Sequence, residues 1–230
     1  MSHEQLEGLL FWFPAFVLST TVHEAAHAWV ALRAGDPTAY HGGQVSLNPW
    51  FHIRREPIGM LVLPLVTAMT NGWAMGWASA PFDPVWAARH PRRAALMAAA
   101  GPVANVALAM LALVAIHLAL ALGLFETHYV GTWSTLVVPS TTFADSELAA
   151  FGARALSVML SLNVLLAVFN SIPLPPLDGA AVLDIVVPGA ARFFRRLGPV
   201  ASLLGLFAAW KVMPLFVGPI FSAVEAVIGN

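Results

Sequence analysis

Long apolar runs separated by short charged stretches organise this chain. Three of them, Leu6–Leu32, Ala94–Phe125 and Leu148–Ser171, hold the roughly 20 mostly apolar residues a helix needs to cross a bilayer. A fourth, Leu197–Ile228, is as long but is broken by Pro214 and by Gly218-Pro219, which predicts a hydrophobic helix or a helix pair. A fifth, Ile58–Pro81, is apolar yet interrupted by Pro64, Asn71, Gly72 and Gly76, so it either spans or dips in and returns. The stretch from Asp36 to Pro49, "DPTAYHGGQVSLNP", departs from the helical pattern. Its glycine pair, followed by alternating Gln44-Val45-Ser46-Leu47, predicts a short strand or hairpin. At membrane depth such a strand must be buried in protein or line a wet cavity. The expected fold is an all-α polytopic membrane protein, with about five to six transmembrane or re-entrant helices and a short β-hairpin after the first helix.

Composition agrees with that pattern. Of 230 residues, 59% are hydrophobic and 10% charged, against about 25% charged in soluble domains. We expect one membrane-embedded domain over residues 1–230, with a core at about 6–188 and the apolar tail at 197–228. The N-terminus lacks a basic n-region and a small-residue cleavage site, so it reads as the start of the first span. A net charge of −1 gives no reason to expect nucleic acid, and the absence of cysteine excludes disulfides, thiol catalysis and thiolate zinc sites. No internal repeat supports an inverted-repeat transporter.

Charge placement favours the returning form of Ile58–Pro81. Arg33, Arg54, Arg55, Arg89, Arg92, Arg93, Arg192, Arg195 and Arg196 then share one face, which the positive-inside rule makes cytoplasmic, leaving Arg154 and Lys211 elsewhere. The N-terminus lies outside in this topology, with Glu126, Asp145 and Glu147 in an outer loop.

Against this apolar background His23-Glu24-Ala25-Ala26-His27 stands out. Four residues apart on a helix, His23 and His27 share a face and reach a single cation, with Glu24 beside them as a general base. Ionisable groups inside a span mark function by default. A catalytic zinc needs a third protein ligand, and Asp178 in "NSIPLPPLDGA" is the candidate, where three prolines end the preceding helix. Asp184 competes for that place, and capping of the next helix is the alternative role for Asp178. His27 lies six residues before Arg33, about 9 Å of helix from the cytoplasmic face. Asp178 follows a descending helix and emerges near the same level. Asn105 in "AGPVAN" and Asn170 before the prolines either join helices or hold a substrate strand or oxyanion. His41 and His52 could approach the site but read better as interfacial residues, as do Trp50, Trp73, Trp77 and Trp86.

Together "HEAAH", "GDPTAYHGGQVSLNPWFHI", "AGPVAN" and "NSIPLPPLDG", in this order across residues 19–180, resemble the site-2 protease family of intramembrane zinc metalloproteases. The resemblance implies zinc held by His23, His27 and Asp178, Glu24 as catalytic base, and Asn105 or Asn170 on the substrate. It further implies a transmembrane protein as substrate, cleaved in the bilayer. The Ala- and Arg-rich composition with a single lysine suggests a prokaryotic cytoplasmic membrane, and the charge placement predicts a site nearer its cytoplasmic face. Two departures are visible. "LNPWFHIRREPIG" carries Arg54-Arg55-Glu56 where compact relatives have Asp, and the length leaves no room for a PDZ or CBS module. A membrane zinc transporter or sensor using the same His pair is the main rival. A catalytically inert chaperone of the same fold and a zinc hydrolase acting on lipid-linked substrates are weaker ones.

Overall fold

A computed structural model of the chain describes residues 2–187 and 189–229, and all but the side chains of residues 129–131, 191, 192 and 195. The expected domain limits at 1 and 230, the core boundary at 188 and the side chains of Arg192 and Arg195 fall outside the described residues. Four helices are long and apolar enough to cross a membrane: α1 (His3–Ala34), α6 (Pro91–Ala121), α7 (Glu147–Ser171) and α10 (Pro199–Gly229). Between them lie α2 (Thr38–His41), α3 (Pro49–Arg55), α4 (Ile58–Asn71), α5 (Pro84–Arg89), α8 (Gly179–Val186) and α9 (Ala190–Leu197). Their ends follow local chemistry. Ser2 and Gln5 form a capping box at the start of α1, Gly35 (φ 101°) closes it, and the Ser146 hydroxyl caps α7. The chain is an integral membrane protein, and Leu96, Val103, Leu111 and Leu118 of α6 stand exposed on its outside.

The apolar tail is a single helix. Pro214 and Pro219 lie inside α10 without breaking it. Its neighbours hold both halves: Ala209 buries against Ile172 and Leu177, while Phe221, Val224 and Ile228 pack on the core of α6, α7 and the hairpin. A spanning helix tolerates proline under such support.

Residues 58–81 enter and leave at one end of the bundle. α4 runs beside the first turns of α1, where Gly8 sits on the Ala68 carbonyl, and Gly72 (φ 76°) reverses the chain against the Glu4 backbone. Residues 73–83 then return without regular secondary structure. The Trp77 amide donates to the Gly59 carbonyl at 3.1 Å, Arg55 Nε to the Ser79 carbonyl at 3.1 Å, and the Ser79 hydroxyl to Glu56 at 2.8 Å. Arg55 and Glu56 thus fasten both sides of Ser79. Asp36 completes the closure, accepting from Thr38 (amide at 3.0 Å, hydroxyl at 2.5 Å) and from the Asp83 amide at 2.8 Å. Burial opposes the charge of Asp36, but these donors, Thr38 first among them, hold its carboxyl below the usual range. Arg93 reaches the Ala34 carbonyl at 3.1 Å, so Arg33 and the clusters on both sides of the returning segment share one end.

The fold contains the expected antiparallel hairpin after the first helix, but not at Gln44–Leu47. It is formed by β1 (Phe125–Thr132) and β2 (Thr135–Pro139), with Phe125 opposite Pro139. Residues 42–48 form an irregular link. The Gln44 amide closes the preceding turn on the Ala39 carbonyl, the Ser46 carbonyl meets His52 Nε2 at 2.9 Å, and Asn48 caps α3, so local turns occupy this stretch in place of a strand ladder. The hairpin packs Leu136 and Val137 against α7, where the Ser157 hydroxyl accepts from the Leu136 amide at 3.0 Å. Near its tip Arg154 binds Ser134 and Thr135 and lies 3.5 Å from Glu7, at the end of the bundle opposite the arginine clusters.

Candidate active site

α1 places His23, Glu24 and His27 on its buried side. The two Nε2 atoms lie 2.9 Å apart, and Asp178 Oδ2 lies 3.2 Å from His23 Nε2 and 3.3 Å from His27 Nε2. α6 approaches this group closely at Gly101, where a Cβ would collide with both Nε2 atoms. The same helix holds the rings from behind. Asn105 Oδ1 lies 2.5 Å from His23 Nδ1, and the Met97 carbonyl lies 2.7 Å from His27 Nδ1.

Asp178 arrives because α7 cannot continue. Ile172 is extended (ψ 128°) and Pro173, Pro175 and Pro176 follow, while Ile172 and Leu177 bury with Ala209 of α10 and fix the turn. Asp178 stands at the start of α8, yet its side chain makes no capping hydrogen bond. Its Oδ2 is buried, without a hydrogen bond among the described residues, and faces the imidazoles. Asp184 lies apart and accepts from the Gly189 amide at 3.1 Å. His52 is buried against the Ser46 carbonyl.

The donor set suits one metal ion. His23, His27 and Asp178 form the metal-binding group among the described residues, each with one donor atom within 4.8 Å of the others. A zinc ion about 2.0–2.1 Å from its donors holds tetrahedral neighbours about 3.3 Å apart, close to the separations found.

A cavity of about 2220 Å³ opens on this centre, lined by Thr20, His23, Glu24, His27 and Asp178 together with Asn170. Glu24 Oε2 is buried there without a hydrogen-bond partner among the described residues. Asn170 stands on the wall with its Nδ2 on the Leu166 carbonyl at 3.0 Å. Asn105 does not line the cavity; it is fully buried behind His23, and its Nδ2 donates to Asn163 at 2.8 Å.

Two features carry no sequence expectation. Asn163 is fully buried in α7, and its signal was an amide alone in the apolar run "SVMLSLNVLLAVF". The other is the returning segment 73–80, which forms one wall of the cavity. Its Met75 amide binds the Thr67 hydroxyl at 2.9 Å, the Trp77 amide binds Gly59, and the Ser79 carbonyl binds Arg55. Ala74, Gly76, Ala78 and Ala80 between them have backbone groups without hydrogen bonds among the described residues.

Residues 11–208 match peptidase family M50. The chain belongs to that family. It is 32% identical over 179 residues to YwhC of Bacillus subtilis, which is named as a zinc metalloprotease, covering 76% of this chain and 68% of that one. Rip2 of Mycobacterium tuberculosis H37Rv, named in the same way, is 31% identical over 206 residues, covering 89% of this chain and 65% of that one. The chain thus spans about two thirds of the length of these relatives. No solved structure gives a significant match.

Proposed function

We propose that the chain is an intramembrane zinc metalloprotease that hydrolyses a peptide bond within or near a transmembrane segment of a membrane protein. The observation that carries this reading is the convergence of His23, His27, Asp178 and an unpartnered Glu24 on a cavity walled in part by the irregular segment 73–80, where alternate backbone groups lack hydrogen bonds among the described residues. Zinc, when bound, supplies a Lewis acid that polarises the scissile carbonyl and brings the pKa of water towards 7. Glu24 takes the proton of the attacking water and hands it to the leaving amine. A transmembrane helix hides its carbonyls in its own hydrogen bonds, so the substrate must unwind locally before attack. Ala74, Gly76, Ala78 and Ala80 offer the unwound peptide backbone partners in exchange, by addition of a strand. Asn170 lines the same cavity, which supports a role in meeting the peptide. The arginine clusters at the near end of the bundle support a site closer to the cytoplasmic face.

The rival transport reading needs ligand groups at several depths, and the described residues offer one group. Glu24→Gln in proteoliposomes with a co-reconstituted membrane-protein substrate separates the two. Cleavage should fall by at least 10²–10⁴-fold, the usual contribution of a general base, while zinc content stays at one ion per chain. Undiminished cleavage would overturn the role of Glu24, and zinc flux without cleavage in the wild type would favour transport.

A further inference from the structure

The buried amides behind His23 form a relay whose direction is fixed by a group that cannot change. The Met159 carbonyl has no proton to give, so the Asn163 atom 2.8 Å from it is Nδ2. The same Nδ2 reaches the Ser19 hydroxyl at 2.9 Å. Asn163 therefore turns Oδ1 towards Asn105, and Asn105 answers with Nδ2 at 2.8 Å. That leaves Asn105 Oδ1 against His23 Nδ1 at 2.5 Å, so Nδ1 must carry the ring proton. His27 reaches the same state in one step, because its Nδ1 faces the Met97 carbonyl at 2.7 Å. As neutral imidazoles, the form a metal ligand takes, both rings then present an unprotonated Nε2 to Asp178 Oδ2. Three acceptors meet without a donor between them, an arrangement that calls for a cation.

We infer that Asn105 and Asn163 are positioning residues for the metal centre, a relay anchored on the Met159 carbonyl that holds His23 as its Nδ1–H tautomer and presets Nε2 for zinc. The inference rests on the reading of His23, His27 and Asp178 as a zinc site. Ser19, Asn105 and Asn163 are all fully buried, at a depth where an unsatisfied amide is costly, and their mutual satisfaction offsets that cost. The relay also assigns work to all four amide atoms of the asparagine pair, and none is left for a substrate.

The test is zinc affinity, measured on detergent-purified protein by competition with a chromophoric chelator, with thermal unfolding in excess zinc as the check on folding. Asn163→Leu frees Asn105 to rotate and should weaken zinc binding about 10–100-fold, the usual range for groups that orient metal ligands. Asn105→Leu should weaken it at least as much. Asn105→Asp keeps an oxygen on His23 Nδ1 but sets its second oxygen against Asn163 Oδ1, so it should bind zinc more weakly than wild type and more tightly than Asn105→Leu. Since Asn163 acts through Asn105, adding Asn163→Leu to Asn105→Leu should cost nothing further. Wild-type affinity in folded Asn163→Leu, or a full Asn163→Leu loss on the Asn105→Leu background, overturns the relay. Should Asn163→Leu fail to fold, equal affinities for Asn105→Asp and Asn105→Leu overturn it independently. A wild-type protein that binds no zinc would instead overturn the protease reading beneath it.

Discussion

Gly101 shows how closely a single residue governs the centre. A glycine inside a helix normally costs about 1 kcal/mol relative to alanine, so Gly101→Ala should stabilise α6 if nothing else changed. Here the added Cβ would run into both imidazole Nε2 atoms, the pair that meets Asp178. We therefore expect Gly101→Ala to keep or raise thermal stability in the absence of zinc and to weaken zinc binding by at least about 10-fold, the scale of a displaced ligand shell. Loss of stability together with unchanged zinc affinity would mean that the helices part instead of the rings. The sequence exposed the three candidate ligands that the fold brings together, because their spacing is a property of one helix turn and of one proline-rich break. It did not expose the groups that orient them. Asn105 was visible as an amide in a span, but its pairing with His23 on one side and Asn163 on the other depends on which helix faces meet, and no local spacing encodes that.

At the scale of elements, the apolar pattern located the spans to within a few residues, since a greasy run of that length has few other solutions. It was less informative where backbone groups decide the outcome. Alternation in Gln44–Leu47 is the signature of a strand, yet the Gln44 amide turns back on Ala39 and the Ser46 carbonyl meets the His52 ring. The irregular backbone that walls the site is residues 73–80, whose apolar character hid it inside a candidate span. Its alternating hydrogen bonds lead to a specific expectation. The Ala78 amide has no partner within the protein among the described residues, so Ala78→Pro removes a donor without breaking a bond of the resting fold. If the substrate pairs with this edge, kcat/KM should drop about 3–10-fold, the worth of one hydrogen bond, with zinc affinity and thermal stability unaltered. Full activity in Ala78→Pro would exclude strand addition at this position.

The whole molecule is ordered around two ends of unlike chemistry, and the returning segment is what keeps them apart. At one end Arg55 fastens Ser79, Asp36 holds the Asp83 amide and Arg93 reaches Ala34. At the other, Arg154 bridges Glu7 and the hairpin. If Ile58–Pro81 crossed the bilayer once, Arg54 and Arg92 would face opposite compartments; the bonds at Ser79 and Asp83 require them to share one. The chain has no cysteine, so single-cysteine variants need no prior clearing of the background. Arg54→Cys, Arg92→Cys, Glu126→Cys and Glu147→Cys all replace exposed residues. With a membrane-impermeant maleimide we expect Glu126→Cys and Glu147→Cys to label in intact spheroplasts, and Arg54→Cys and Arg92→Cys to label only after lysis. Labelling of Arg54→Cys and Arg92→Cys from opposite sides would refute the returning segment itself. Labelling of both from outside would preserve the fold but invert it in the membrane, and would put the mouth of the cavity, with Glu24 and its metal ligands, on the outer face.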